Sequence, residues 1–365
     1  MRKVLFVSKP IAPPFHDGTK CLVRDVSSQL QGFQPMVMGQ PGVYERPGVV
    51  TLPVYKGAGG FSPPFADNAR AALHLLTRSA ADVWHFLFAP NALSSSVGRF
   101  ARRVRRVPTV QTVASPPQRF RGASKWLFGD IVVAQSAWTA RQLMSQPMAP
   151  HVEVIPPCVG DLEDVPWETQ VAMRELLDVP PDAPLFVYPG DWETSTGAEV
   201  VAEAAAGVTR SVPGAVVVFA CRQKSAAAKH IEVAMKRRLR TLRVRFAGEL
   251  NSILPLIATS SAVLFPVDDL RGKVDLPIVL LEAMALGVPI VVATGGPLDD
   301  LQSAQRVPAR DPEALVQACI TLVNHPECRN QLIRGGKAEV AERFSARRVA
   351  HQYELLYERA LRLTG

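Results

Sequence analysis

The chain has 365 residues and a formal net charge of +8, with 47% of its residues hydrophobic and 20% charged. This is the balance of a soluble globular protein, and the length suits two domains better than one. No run of about 18 apolar residues occurs, so no transmembrane helix is expected; five scattered cysteines with no Cys-x-x-Cys pair argue against a zinc site and fit free thiols in a reducing cytosol.

The opening "MRKVLFVSKP" has too short an apolar run for a signal peptide and reads as a first β-strand over residues 3–8. The segment "PPFHDGTKCLVRDV" then gives a loop with an Asp-Gly pair that leads into a helix. Alone, that pair indicates a turn. Further strands are predicted at 35–39, 49–54, 82–88, 108–114 and 131–136, with helices between most of them. Such alternation implies right-handed βαβ units and a parallel sheet. His85 lies in the strand at 82–88. It could face a cleft, although such a histidine is more often packed and hydrogen-bonded locally. The basic runs "RRVRR" (102–106) and "KRRLRTLRVR" (236–245) read first as solvated helix faces, then as contacts with an anionic membrane surface or a phosphate-rich ligand. No nucleic-acid partner is expected, because no RNA- or DNA-binding motif accompanies the charge.

The pattern pauses at the Pro-rich, acidic "IPPCVGDLEDVPWE" (155–168), which reads as a linker. Strands resume at 184–190, 215–221, 244–249, 261–267 and 289–294. Arg222 and Lys224 follow the second of these. The expected domains are therefore 1–160 and 161–345, followed by an amphipathic helix at 346–365 in which Val349, Tyr353, Leu356, Tyr357 and Leu361 recur at helical spacing. Two α/β domains in series leave a cleft between them, with ligands beyond the carboxyl ends of the strands.

One stretch, "KVDLPIVLLEAMALGVPIVVATGG" (273–296), carries a single carboxylate, Glu282, inside an otherwise apolar helix predicted over 278–286. Pro277 suits a first turn, Asp275 could cap it, and Gly287 ends it. The helix has no wet face and should be buried. An ionised glutamate buried there without donors would cost several kcal/mol. Its donors are either nearby backbone amides or a ligand's hydroxyls.

The order of these features resembles the group 1 retaining glycosyltransferases, which have the GT-B fold. "LLEAMALGVPIVVATGGPLDDL" is similar to the family segment holding the second Glu of its Glu-seven-residues-Glu motif. "DIVVAQSAWTARQL" is similar to its strand that ends in Ser and leads into a helix. "VEVIPPCVGD" stands where the family reads Ile-Pro-Asn-Gly-Val-Asp, and "FSARRVAHQYELLYERAL" is similar to its closing helix. The resemblance implies two Rossmann-like domains with a cleft and a C-terminal helix packing back toward the first. It also implies that Glu282 holds the ribose hydroxyls of a nucleotide-sugar. The helix start near Pro277 would face the diphosphate. Gly295 and Gly296 would let the backbone approach the ligand, and Gly18 and Thr19 would lie near the phosphates.

Four positions depart from the family. The first Glu of the motif falls on Val274, with Asp275 one residue later as a candidate carboxylate near the sugar. Asp191 and Thr196 stand where the family has Arg and Lys, and Ala114 stands where it often has His. An acid at 191 suits a sugar hydroxyl or a basic neighbour better than a phosphate. The cationic task passes to Arg271, Lys273, Arg222 or Lys224. The resemblance implies transfer of a sugar from a nucleotide-diphosphate donor to a glycan, lipid-linked or small-molecule acceptor. It further implies retention; no His/Asp/Glu metal cluster is visible in the sequence, so no metal or other cofactor is expected. The alternatives are a catalytically weakened relative that binds nucleotide or glycan as a partner protein, and a different two-domain Rossmann-like enzyme. No Gly-x-Gly-x-x-Gly follows the first strand to support the latter.

Overall fold

The computed structural model describes residues 1–365 except 14, 16, 41, 58–62, 194, 224, 271–272 and 365. The chain divides into two units. Unit 1 comprises Met1–Asp161, Arg271–Ile278 and Arg343–Gly365; unit 2 comprises Leu162–Leu270 and Val279–Glu342.

Unit 1 is built on β1 (Arg2–Val7), β2 (Phe33–Gly39), β3 (Val50–Pro53), β4 (Val83–Phe88), β5 (Thr109–Val113), β6 (Ile131–Ala134) and β7 (Val152–Val154). All pairings are parallel, in the order β3-β2-β1-β4-β5-β6-β7. The connections carry α1 (Gly18–Gln29), α2 (Phe65–Thr77), α3 (Ala92–Arg105) and α4 (Ala137–Met144). The central strands are buried on both faces, which is why "VLFV" and "VWHFLF" read as continuous apolar runs rather than alternating ones. Asp17, Asn91 and Ser136 start α1, α3 and α4 by accepting hydrogen bonds from first-turn amides.

Unit 2 repeats the plan with β8 (Leu185–Tyr188), β9 (Val216–Phe219), β10 (Val244–Phe246), β11 (Ala262–Phe265), β12 (Ile290–Ala293) and β13 (Gln305–Val307), ordered β10-β9-β8-β11-β12-β13. Its helices are α5 (Trp167–Leu176), α6 (Gly197–Ser211), α7 (Ala226–Arg238), α8 (Leu254–Ala258), α9 (Ile278–Leu286), α10 (Pro312–Asn324) and α11 (Pro326–Glu339). In each sheet the strand order reverses once, between β1 and β4 and between β8 and β11. Those reversals place the ligand-binding crevices of doubly wound sheets at the carboxyl ends of these strands.

The closing helix α12 (Ala346–Thr364) belongs to unit 1. It lays Val349, Ala350, Tyr353, Tyr357 and Ala360 into the same core as Val4, Phe6 and Leu22. The sequence pattern missed β7 and β13. Each is three residues long, at a sheet edge, and carries a charged residue at its centre, so neither shows an apolar run.

Candidate functional site

In unit 1, β1 ends in a loop that returns to α1. Asp17 caps that helix, its Oδ1 accepting from the Thr19 amide at 2.9 Å and the Lys20 amide at 3.3 Å, while Lys9 Nζ donates to Oδ2 at 2.8 Å. Burial raises the Asp17 pKa, but the Lys9 ammonium and the two amides outweigh it and hold the carboxyl below its ordinary value. The expected phosphate position at Gly18 and Thr19 therefore already holds an internal anion. Gly18 itself is needed for close packing, since a β-carbon there would stand 2.8 Å from Val274 Cγ1.

Val274 brings the segment 273–278 onto unit 1, and Asp275 fastens it there. Asp275 is fully buried and its Oδ2 accepts from Ser136 Oγ at 2.7 Å. The same Ser136 oxygen caps α4 by accepting from the Thr139 amide. α9 begins at Ile278, which puts Pro277 rather than Asp275 at its cap position. The Ser136–Asp275 pair is a contact the sequence reading did not find, although Ser before a helix was a legible capping signal. Lys273 is half-buried in the same segment, and Arg271 lies outside the described residues.

His85 is corrected from candidate catalyst to packing residue. It is fully buried, with Nδ1 hydrogen-bonded to Tyr357 Oη and Nε2 to Thr112 Oγ1, both at 2.8 Å. Burial pushes its pKa down to about 3, so the ring is neutral near pH 7. It joins β4 and β5 to α12, and no ring nitrogen is left for a substrate.

In unit 2, β8 runs into Gly190 and Asp191. A β-carbon on Gly190 would fall 2.0 Å from Tyr188 Cζ, so only glycine lets the chain fold back over that ring. Asp191 then pairs through its backbone with Arg222, which follows β9, bringing two of the predicted donor-binding residues together. Trp192 stacks on Phe219 at 5.3 Å and holds the loop down. At the family's Lys position, Thr196 donates through Oγ1 to Asp268 Oδ1 at 2.8 Å, and Asp268 pairs with Arg310 at 2.7 Å. Lys224 lies outside the described residues.

Glu282 stands in the second turn of α9. Leu280, Leu281, Ala283 and Met284 are buried, but Val279, Glu282, Ala285 and Leu286 are only half-buried. The helix expected to lack any wet face thus has a half-open stripe, with Glu282 on it. Beyond β12, Gly295 and Gly296 have φ of 91° and 96°, and a β-carbon on either would meet open space. The Gly295 amide donates to Asp299 Oδ1 at 3.0 Å, and Arg306 pairs with the same oxygen.

Residues 183–325 match the family profile described as glycosyl transferases group 1. The chain is 30% identical over 216 residues to a D-inositol 3-phosphate glycosyltransferase of Saccharomonospora viridis, a match covering 55% of this chain and 48% of that one, so it spans about half the relative's length. Among solved structures it superposes on sucrose-phosphate synthase from Thermosynechococcus elongatus with a TM-score of 0.77 at 18% identity, covering 98% of this chain and 99% of that one. It likewise superposes on Anabaena HepE in complex with UDP-glucose, with a TM-score of 0.75 at 16% identity, covering 98% and 100%. Two doubly wound units and a C-terminal helix returned to the first give this chain the GT-B fold, and Glu282 lies within the stretch that is similar to the group 1 glycosyltransferases.

Proposed function

We propose that this protein transfers a sugar from a nucleoside-diphosphate sugar to an acceptor hydroxyl, with retention at the anomeric carbon. The observation that carries this reading is Glu282, a carboxylate on the half-open stripe of α9, within the segment that matches the family. A carboxylate so placed accepts from the two ribose hydroxyls of a nucleotide. The start of α9 directs its positive end at the diphosphate. Lys273, just ahead of that helix, and Arg222 supply cationic charge. Gly295 and Gly296 leave room for ligand beside the backbone. HepE, which shares the fold, is described in complex with UDP-glucose, which supports a donor of this class.

The bond between the anomeric carbon and the diphosphate oxygen breaks as the acceptor oxygen bonds to that carbon. The departing phosphate takes the acceptor's proton. The barrier is charge separation, so fixed dipoles and cations aimed at the leaving group supply most of the acceleration. The acceptor is a glycan, a lipid-linked sugar or a small hydroxylated molecule.

The test is donor binding and turnover. Losing hydrogen bonds from a carboxylate, each contributing about 1.5–3 kcal/mol, lowers donor affinity at least about tenfold in Glu282→Ala. Calorimetry with UDP, GDP, ADP and dTDP, on variants checked for folding, reads this directly. A folded Glu282→Ala protein with undiminished affinity removes the ribose role. Failure to release nucleoside diphosphate from any of a panel of nucleotide-sugars overturns the enzymatic reading. Nuclear magnetic resonance of the product's anomeric proton decides retention.

A further inference from the structure

The basic run at 102–106 is not one surface. Arg102 bonds to the Phe128 carbonyl and pairs with Asp130, and Arg105 donates to the carbonyls of Leu76 and Ser79, stitching the end of α3 to the end of α2. Those two arginines are structural. Arg103 and Arg106 turn the other way: both are exposed, and their side chains make no hydrogen bond or ion pair with any described residue. Exposed Arg78, which caps the end of α2, joins them at the same end of the two helices.

Beside these cations runs a stripe of large apolar side chains. On α3, Leu93, Phe100 and Val104 are 67%, 59% and 54% exposed, at spacings of seven and four residues that place them on one helical face. On α2, which packs against α3, Phe65 is 81% and Leu73 is 59% exposed. Isolated exposed apolar residues are ordinary, but five on two adjacent helices, bordered by arginines, form a patch. No acid stands on the exposed faces of either helix. The nearby acids are engaged: Asp67 with the amides of Lys56 and Gly57, and Asp82 with that of Lys3.

From this we infer that the outward face of α2 and α3 docks on an anionic lipid bilayer, Phe100, Val104 and Leu73 entering between headgroups and Arg78, Arg103 and Arg106 pairing with lipid phosphates. The charge selects the partner. A protein partner for this patch would need a matching acidic surface, whereas a bilayer offers unpaired phosphates and an apolar layer a few ångströms beneath them. Among the described residues no helix is long and apolar enough to cross a membrane, so the contact is with the surface of the bilayer. Arginine at a helix C-terminus also complements the macrodipole, but that does not account for exposed Phe100 and Val104.

Co-sedimentation with vesicles tests this on the full chain. The protein pellets with vesicles of phosphatidylcholine mixed with phosphatidylglycerol and stays in the supernatant when the vesicles are pure phosphatidylcholine. Arg103→Glu with Arg106→Glu changes four charges at the surface and lowers partitioning at least about a hundredfold. Phe100→Ser with Val104→Ser lowers it about tenfold. All four positions are exposed, and circular dichroism confirms the variants' folding. Absence of binding to anionic vesicles, or equal binding by wild type and both variants, overturns the inference. So does a concentration-dependent dimer in sedimentation velocity that the same variants abolish, which assigns the patch to a second copy. Donor binding at Glu282 is independent of this surface. Its loss with vesicle binding retained strikes the transferase reading alone.

Discussion

His85 offers a direct test of the unit 1 interior, because its burial converts into pH dependence. In the folded chain its pKa is about 3, against 6.5 for an unperturbed imidazole. The unfolded chain therefore binds a proton between those values that the folded chain does not. The contribution of His85 to stability is present above pH 6.5 and is lost as pH falls toward about 3. At about pH 5 the difference is roughly 1.5 pH units, or about 2 kcal/mol. His85→Asn removes this proton while keeping a polar group that can reach Tyr357 or Thr112. Urea denaturation of both chains between about pH 8 and pH 5, followed by the fluorescence of buried Trp84, measures the effect. Wild type should lose about 2 kcal/mol more than the variant over that interval. Parallel losses would refute the reasoning, as would an isotope-labelled His85 ring that titrates near pH 6.5 in the folded protein.

Three further outcomes are expected. Ser136→Ala takes from Asp275 a buried donor and from α4 its cap, and should lower stability by about 1–3 kcal/mol in thermal unfolding; an unchanged midpoint would show that the pair is dispensable. Gly18→Ala puts a β-carbon against Val274 and should cost about 1–3 kcal/mol, largely recovered in the double variant with Val274→Ala; simple additivity of the two changes would deny the contact. Asp17 has its carboxyl held low, so its stabilisation is present above the unfolded value of 3.8 and lost as pH falls. Asp17→Asn should flatten the acid limb of a stability–pH curve, and an unaltered limb would contradict the Lys9 pairing.

The parallel-sheet architecture was legible because the strands buried on both faces are unbroken apolar runs bounded by glycine, proline and capping residues. β4, β8, β9, β11 and β12 lie within their predicted spans. Local spacing said nothing about partners distant in sequence. Ser136 and Asp275 stand 139 positions apart, and His85 and Tyr357 stand 272 apart. A histidine in a strand gives no sign of whether its ring meets solvent or a helix from the far end of the chain. α9 shows the opposite error. An apolar composition implied burial all round, but four side chains at helical spacing remain half open, and Glu282 is one of them. Composition cannot show which side of a helix its neighbours leave uncovered.

The departures from the family in unit 2 form a network rather than a set of losses. Thr196 holds the lead-in to α6 to Asp268, whose carboxyl is raised by burial but held below its ordinary value by Arg310 and Thr196. A lysine at 196 would bring a second cation to that carboxylate while removing the hydroxyl that now bonds it. Asp191, standing in place of the family's arginine, is 5% exposed and joined through the backbone to Arg222 at the end of the neighbouring strand. The acid and the arginine thus lie at the carboxyl ends of adjacent strands β8 and β9, the edge where doubly wound sheets bind ligands. On the proposed function, a cation from the second strand takes the place of the one replaced on the first. If Arg222 pairs with the donor's phosphates, as the proposed function has it, Arg222→Ala should weaken donor binding more than Asp191→Ala does. Calorimetric titration of both variants with nucleoside diphosphate and with the corresponding nucleoside tests this. The Arg222 deficit should appear with the diphosphate and vanish with the nucleoside, and an equal deficit with both ligands would place Arg222 away from the phosphates.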